Sequence, residues 1–298
     1  KKVGLEAMPD VKILNPTSVK EAVSSLAEHG DEAKIIAGGT ALVIMLRNRL
    51  VAPSVLVNLG RVENLRYVRH EPGTGLRIGA LTTIREAEVS RLVREKNPTL
   101  AQTFGEVANV RVRNAATVGG NLSEADYASD PPSVLVAMRA RVKASSPRGE
   151  REIPLTDLFR GFYETSLAQD EVLTELIVPD LPPTVRSAFI KFVTRSSEDR
   201  PCVAMAAVME MNGNGICKDL RVVAGAVAAT PQELESVEAM ARGQRLTDKL
   251  IDDIAEAYSS GVEPLSDIRG SEWYRKQVIR VLVRRVIRKA LASQEGRA

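Results

Sequence analysis

Ala33-Lys34-Ile35-Ile36-Ala37-Gly38-Gly39-Thr40-Ala41-Leu42 runs from a short apolar strand pattern into a helical one, with only a Gly-Gly bend between them. Its surroundings set the fold. Val11 to Leu14 reads as a strand, and Ser18-x-x-Glu21 is a capping box opening a helix with Val19, Ala22, Val23 and Leu26 on its apolar face. Gly30 ends that helix. Ala33 to Ala37 is the second strand, Thr40 to Arg49 the second helix and Ser54 to Leu59 the third strand. This βαβαβ order predicts a small parallel sheet. At the end of its second strand, Ala37-Gly38-Gly39-Thr40 gathers backbone amides at a helix start, without side-chain bulk.

Beyond Arg61 the elements become more varied. Leu65 to His70 and Leu76 to Leu81 flank Pro72-Gly73-Thr74-Gly75 as a hairpin, and a helix starts near Thr82 or Thr83. Thr99 to Asn109 reads as a further helix, and Pro131-Pro132 opens one through Met138. Arg141 to Ser145 pairs with Arg151 to Leu155 across Pro147-Arg148-Gly149-Glu150. Pro179, Pro182 and Pro183 mark a linker. After it, Ser187 to Thr194, Val203 to Met211 and Ile216 to Thr230 read as three strands of an antiparallel sheet. Helices over Pro231 to Ala241, Thr247 to Ser260 and Ser271 to Ala292 follow.

A second Gly-Gly lies in Val110-Arg111-Val112-Arg113-Asn114-Ala115-Ala116-Thr117-Val118-Gly119-Gly120-Asn121. A lone Gly-Gly often serves only a tight turn. Two of them, one at a strand-to-helix turn, suit the paired phosphates of a dinucleotide, which take hydrogen bonds from amides. Thr40 and Thr117 add hydroxyls, and Asn121 adds an amide. Asp130 suits a sugar hydroxyl, with capping of the helix at Pro131 as the plain alternative. The usual nucleotide signatures are missing: neither Gly-x-Gly-x-x-Gly nor Gly-x-x-x-x-Gly-Lys-Ser/Thr occurs. No nucleophile signature stands in a convincing context. The chain therefore carries no catalytic residue set of its own, and a bound cofactor has to supply the chemistry.

Composition narrows the classes. The 298 residues are 44% hydrophobic and 27% charged, which fits a globular protein with two or three cores. A net charge of +3 gives no reason to expect nucleic acid. The longest apolar runs, Val203 to Met209 and Val222 to Ala229, are far below the roughly 20 residues that span a bilayer. Lys1-Lys2-Val3-Gly4 has no signal-like apolar region, so a cytoplasmic location is expected. Cys202 and Cys217 lack metal-type spacing, and His29 and His70 lack triad or zinc partners, so no metal site is expected. The basic residues of the last helix, Arg275, Lys276, Arg280, Arg284, Arg285, Arg288 and Lys289, read either as a solvated face or as a docking surface for an acidic partner.

Ala37-Gly38-Gly39-Thr40-Ala41-Leu42, then Arg113-Asn114-Ala115-Ala116-Thr117-Val118-Gly119-Gly120-Asn121-Leu122, then Asp130-Pro131-Pro132 resemble the FAD-binding medium subunit of the xanthine dehydrogenase and carbon monoxide dehydrogenase (molybdenum hydroxylase) family. Lys191, Arg195 and Asp199 are similar to that family's Lys-x-x-x-Arg-x-x-x-Asp pattern, and Asp267 to Arg275 resembles its closing helix signature. The resemblance implies an α+β fold: a two-part FAD-binding domain of the vanillyl-alcohol-oxidase-like type, then a C-terminal domain of antiparallel sheet plus helices. The expected divisions are 1–60, 61–183 and 186–298. It further implies that Ile35, Ile36, Ala37, Gly38, Gly39, Thr40, Ala41 and Leu42 hold the pyrophosphate, with Thr117, Val118, Gly119, Gly120 and Asn121 on its other side. Asp130 would take a sugar hydroxyl, and Val107, Leu173 and Lys191 would meet the flavin ring. Where the family has Ala-x-Pro-x-x-Asp, this chain has Ala125-Asp126-Tyr127-Ala128-Ser129-Asp130, with Tyr127 for the proline.

The implied function is electron relay. FAD on this subunit would take electrons from [2Fe-2S] clusters on a small iron–sulfur subunit and pass them to NAD, a quinone, a carrier protein or oxygen. Hydroxylation would occur at the molybdenum–pterin cofactor of a large subunit, in an assembly expected to be a dimer of heterotrimers. A stand-alone FAD-dependent oxidoreductase of the same fold is the alternative, and a module that has lost FAD is the third.

Overall fold

The computed structural model describes residues 11–293, so the reading of Lys1 to Gly4 lies outside the described residues. Near the N-terminus, β1 (Lys12–Leu14), β2 (Ala33–Ile36) and β3 (Val55–Asn58) form a parallel sheet with β3 in the middle. The first helix, α1 (Val19–His29), buries Ala22, Val23 and Leu26 against Ala33, Val55 and Val57. Ser18 caps it by accepting the Glu21 amide, but the Glu21 carboxylate returns to the amide and hydroxyl of Thr17 rather than to Ser18. The second helix, α2 (Leu42–Arg47), is shorter than the expected Thr40 to Arg49, because Arg49 turns left-handed at φ 55°. None of its residues is fully buried.

The middle of the chain builds a five-stranded antiparallel sheet with helices on it. In chain order come β4 (Val68–Glu71), β5 (Gly75–Gly79), α3 (Ile84–Val89), α4 (Arg91–Lys96), α5 (Pro98–Gly105), α6 (Val110–Arg113), α7 (Val118–Glu124), α8 (Pro131–Ala137), β6 (Arg141–Ser146), β7 (Gly149–Pro154), α9 (Leu155–Leu158), β8 (Phe159–Gly161), β9 (Glu164–Thr165) and β10 (Val172–Val178). The sheet order is β4-β5-β10-β6-β7, so its central strand is β10, which the sequence pattern did not reveal. Thr174 and Glu175 interrupt its apolar run. Burial of Glu175 is tolerated because Arg77 Nε and the Tyr67 hydroxyl both donate to its carboxylate at 2.7 Å. The expected Thr99 to Asn109 helix stops at Gly105, since Ala108 has a left-handed φ of 42° and Asn109 already caps α6.

The last part packs α10 (Glu235–Glu238), α11 (Asp248–Gly261) and α12 (Glu272–Ala292) on an antiparallel sheet of β11 (Val185–Phe192), β12 (Val203–Met211), β13 (Cys217–Gly225) and β14 (Gln232–Glu233). The expected strand through Thr230 ends at Gly225, where Ala226 turns left-handed at φ 64°. The helix expected from Pro231 begins only at Glu235. Before it, Gln232 pairs with Ala224 and its carbonyl accepts the buried Tyr258 hydroxyl at 2.6 Å. The basic face of α12 is largely occupied within the chain: Arg280, Arg284 and Arg288 pair with Glu256, Asp252 and Asp248 on α11. Arg275 is fully buried, bonded to the Leu265 carbonyl and Asp267. No helix among the described residues is long and apolar enough to cross a membrane.

Candidate functional site

β2 delivers the chain to its first bend at Ala37. A Cβ on Gly38 would lie 1.9 Å from the carbonyl oxygen of Ala115, so only a hydrogen fits there. Gly39 turns left-handed at φ 70°, and its carbonyl accepts the Val43 amide at 3.0 Å as α2 begins. Among the described residues, the amides of Gly38, Gly39, Thr40 and Ala41 meet no acceptor. The first bend is therefore a row of available donors, pressed directly against the segment that leads into the second.

The second bend is built differently. Thr117 is the N-cap of α7, and its Oγ1 accepts the Gly120 amide at 3.0 Å. The Val118 and Gly119 amides donate to the carbonyls of Thr82 and Ala80, each at 2.9 Å. A Cβ on Gly119 would lie 2.6 Å from the Ala80 methyl carbon. Gly119 is thus a packing glycine in the core, and only Gly120 is exposed. Asn121 does not point into an open space: its amide nitrogen donates to Ser129 Oγ at 2.9 Å, and that hydroxyl donates back to Asn121 Oδ1 at 3.1 Å. The bond ties the second bend to the turn before Asp130.

Asp130, Lys191 and Val107 converge. The Lys191 ammonium on β11 donates to Asp130 Oδ2 at 2.9 Å and to the Glu106 carbonyl at 2.7 Å, one residue before Val107. Both charged side chains are about 95% buried, as the 5% and 4% exposures show. Asp130 makes no side-chain cap to α8, which removes the plain alternative for it. Its Oδ1 is buried without a partner among the described residues. Burial pushes the Asp130 carboxyl up to about 7 against the pull of the Lys191 charge. Leu173, on β10, is buried in the same apolar core as Val107.

The Tyr127 departure is accommodated. Asp126 Oδ1 accepts the Ala128 amide and Asp126 O accepts the Ser129 amide, so the turn forms without a proline. The Tyr127 hydroxyl donates to Asp267 Oδ2 at 2.9 Å, and Arg269 donates to that hydroxyl at 3.0 Å. Residues 125–130 are thereby tied to the turn before α12. Arg113, which the sequence offered only as part of a motif, donates from Nη1 to the Val107 and Ala108 carbonyls and from Nε to Glu88. A separate cleft of about 710 Å³ between α1 and the five-stranded sheet contains none of the expected site residues. Its Arg77 and Lys143 are already paired with Glu175 and Glu150. No cluster of potential metal ligands occurs among the described residues.

These features fit a dinucleotide: free turn amides for phosphates, a bend that admits no Cβ, and one unpartnered buried carboxylate oxygen for a hydroxyl. Residues 9–181 match the family described as the FAD binding domain in molybdopterin dehydrogenase, and residues 188–290 match the CO dehydrogenase flavoprotein C-terminal domain. The fold and bends thus define an FAD-binding oxidoreductase subunit. The chain belongs to the family of FAD-binding medium subunits of molybdenum hydroxylases. It is 34% identical to the glyceraldehyde dehydrogenase medium chain of Sulfolobus acidocaldarius over 92% of this chain and 96% of that one. It is 35% identical to the 6-hydroxypseudooxynicotine dehydrogenase complex subunit alpha of Paenarthrobacter nicotinovorans, covering 92% of each. A solved carbon monoxide dehydrogenase from Hydrogenophaga pseudoflava superposes with a TM-score of 0.92 at 31% identity, over 96% of this chain and 99% of that one.

Proposed function

We propose that this chain relays electrons from [2Fe-2S] clusters on a small partner subunit to an external acceptor, with the hydroxylation chemistry on a large molybdenum–pterin subunit and the three assembled as a dimer of heterotrimers. Residues 1–60 and 61–183 would be the two parts that enclose FAD, and 186–298 the C-terminal flavoprotein domain. The supporting observation is the packing of Gly38 against Ala115, which puts the two bends side by side although they are far apart in sequence.

When bound, FAD supplies a redox centre able to exchange one or two electrons. This chain's part is binding and positioning. Ile35 to Leu42 would hold the pyrophosphate through the free amides of Gly38 to Ala41. Thr117 to Asn121 would flank it, chiefly through the exposed Gly120 edge of the capped helix. Asp130 would accept a sugar hydroxyl at Oδ1, while Lys191 neutralises its other oxygen. Val107, Leu173 and Lys191 would form the flavin-ring wall.

The test is isolation of the tagged chain from its native host under mild conditions, followed by flavin, iron and molybdenum analysis. One FAD per chain, with iron and molybdenum proteins in fixed proportion, is the expected result. A flavoprotein that turns over a reduced organic substrate alone, free of both metals, would overturn the relay reading in favour of a stand-alone oxidoreductase.

A further inference from the structure

Three consecutive carbonyl oxygens, those of Glu106, Val107 and Ala108, are each held by a cation. Lys191 Nζ takes the first at 2.7 Å, and Arg113 Nη1 takes the second and third at 2.9 and 3.0 Å. These carbonyls follow directly on the C-terminus of α5, where the helix dipole favours positive charge. The loop they belong to is strained, since Ala108 is a non-glycine residue at φ 42°. Two cations entering from different elements, α6 and β11, fix it in that shape.

Arg113 is itself held. Its Nε donates to Glu88 Oε2 at 2.8 Å, and both side chains are nearly buried, at 12% and 14% exposure. The Glu88 carboxylate also takes Arg85. Arginine suits this place because its planar fork can serve a carboxylate on one edge and carbonyls on the other, which an ammonium cannot do in the same geometry. Arg113 also lies only two residues before Ala115, the residue on which Gly38 rests. One side chain therefore couples the short helix that supports the pyrophosphate bend to the Val107 wall.

We infer that Arg113 is a positioning residue for the flavin ring: through the Val107 and Ala108 carbonyls it sets the wall against which the ring lies, with Glu88 fixing its guanidinium. This rests on the FAD site proposed above. Because Arg113 acts through the backbone, its loss disturbs the ring end of the cofactor while the first bend keeps its phosphate donors.

The experiment compares Arg113→Gln, Arg113→Lys and Glu88→Gln in the full chain, reading FAD dissociation constants and the visible absorption spectrum of the bound flavin. Arg113→Gln should raise Kd about tenfold, the scale of one lost charge-assisted hydrogen bond, and shift or blur the flavin bands. Arg113→Lys should recover part of the affinity and of the band shape, which a purely structural role would not require. If Arg113→Gln does not fold, Glu88→Gln decides, because it loosens the guanidinium without removing it and should give the same spectral change in smaller measure. Wild-type Kd and an unshifted spectrum in the folded variants would overturn the inference. Gly38→Val run alongside separates the two levels: its retention of FAD would sink the site reading itself, whereas its loss of FAD beside an unaltered Arg113→Gln would sink only the role of Arg113.

Discussion

Gly38-Gly39 and Gly119-Gly120 are the same dipeptide, the first placed before a helix and the second in a helix's first turn, and the surroundings ask different things of them. At the first bend the chain of another segment occupies the place where a side chain would be, and the amides are left available. At the second, Gly119 lies under the Ala80 methyl, two amides are taken by the carbonyls of Thr82 and Ala80, and Thr117 takes a third. The first bend leaves its donors open; the second is shaped chiefly by the core beneath it, with Gly120 alone at the surface. A glycine pair in a sequence does not reveal which of these roles it serves.

The largest effect that would test this contrast is Gly38→Val. Its Cβ would meet the Ala115 carbonyl, a backbone group that cannot swing aside, so the two bends must separate. Losing two charge-assisted amide–phosphate hydrogen bonds, at about 1.5 kcal/mol or more each, costs on the order of 100-fold in affinity. FAD affinity should fall by about that factor or more, measured by flavin retention on gel filtration and by titration. Gly119→Ala should behave in the opposite way. Its methyl would press on Ala80 in the core, and overpacking of this kind costs about 1–3 kcal/mol of stability. Chemical denaturation should show that loss, while the folded fraction still binds FAD. Comparable loss of FAD from the folded Gly119→Ala protein would erase the distinction.

Much of this was legible from residue patterns, and the gaps have physical causes. The βαβαβ start, the hairpin and β12 follow from clear periodicity and turn residues. The Gly-Gly pairs stood out as dipeptides, but only Gly39 needs a left-handed backbone; Gly38 and Gly119 are required by close packing, which a sequence does not show. What hid β10 was a buried Glu175, acceptable because Arg77 from β5 and Tyr67, just before β4, both donate to it. Lys191 stood out only through the family pattern. Neither its pairing with Asp130 nor the grip of Arg113 on the Val107 and Ala108 carbonyls could be read from the sequence, because backbone carbonyls have no signature there and Asp130 is distant along the chain. The paired state of the basic α12 face likewise depends on α11 lying alongside it.

A pH-confined effect sharpens the comparison around the second bend. Burial raises the carboxyls of Glu124, next to the neighbouring Asp126 charge, and Asp130 to about 7. A carboxyl with a folded pKa above its unfolded value gives stability that is full below about 4 and is lost as pH rises toward 7. The protein without FAD should therefore weaken over that window, and Asp130→Asn should flatten the slope of denaturation midpoint against pH. Asp267 runs the other way. Its carboxyl is held down at about 2, against burial, by the Arg269 amide, Arg275 and Tyr127, so its contribution is present above about 4 and fades as pH falls toward 2. An unchanged slope in Asp130→Asn would mean that Asp130 stays ionised beside Lys191 throughout.

The smallest stability effect belongs to Gly120→Ala, and its smallness makes it useful. Gly120 is exposed and helical, so the added methyl gains helix propensity, while its Cβ falls 2.8 Å from Thr117 Oγ1 and disturbs the cap. These two terms oppose each other, and the net change in stability should stay within about 0.5 kcal/mol. FAD affinity is free to move separately, because Gly120 is the one member of the second pair that faces outward. A fall in affinity of about tenfold at unchanged stability would show that the second bend touches the cofactor through this edge alone. Equal affinity would reduce the second Gly-Gly to a packing and capping device, leaving the first bend to carry the pyrophosphate by itself.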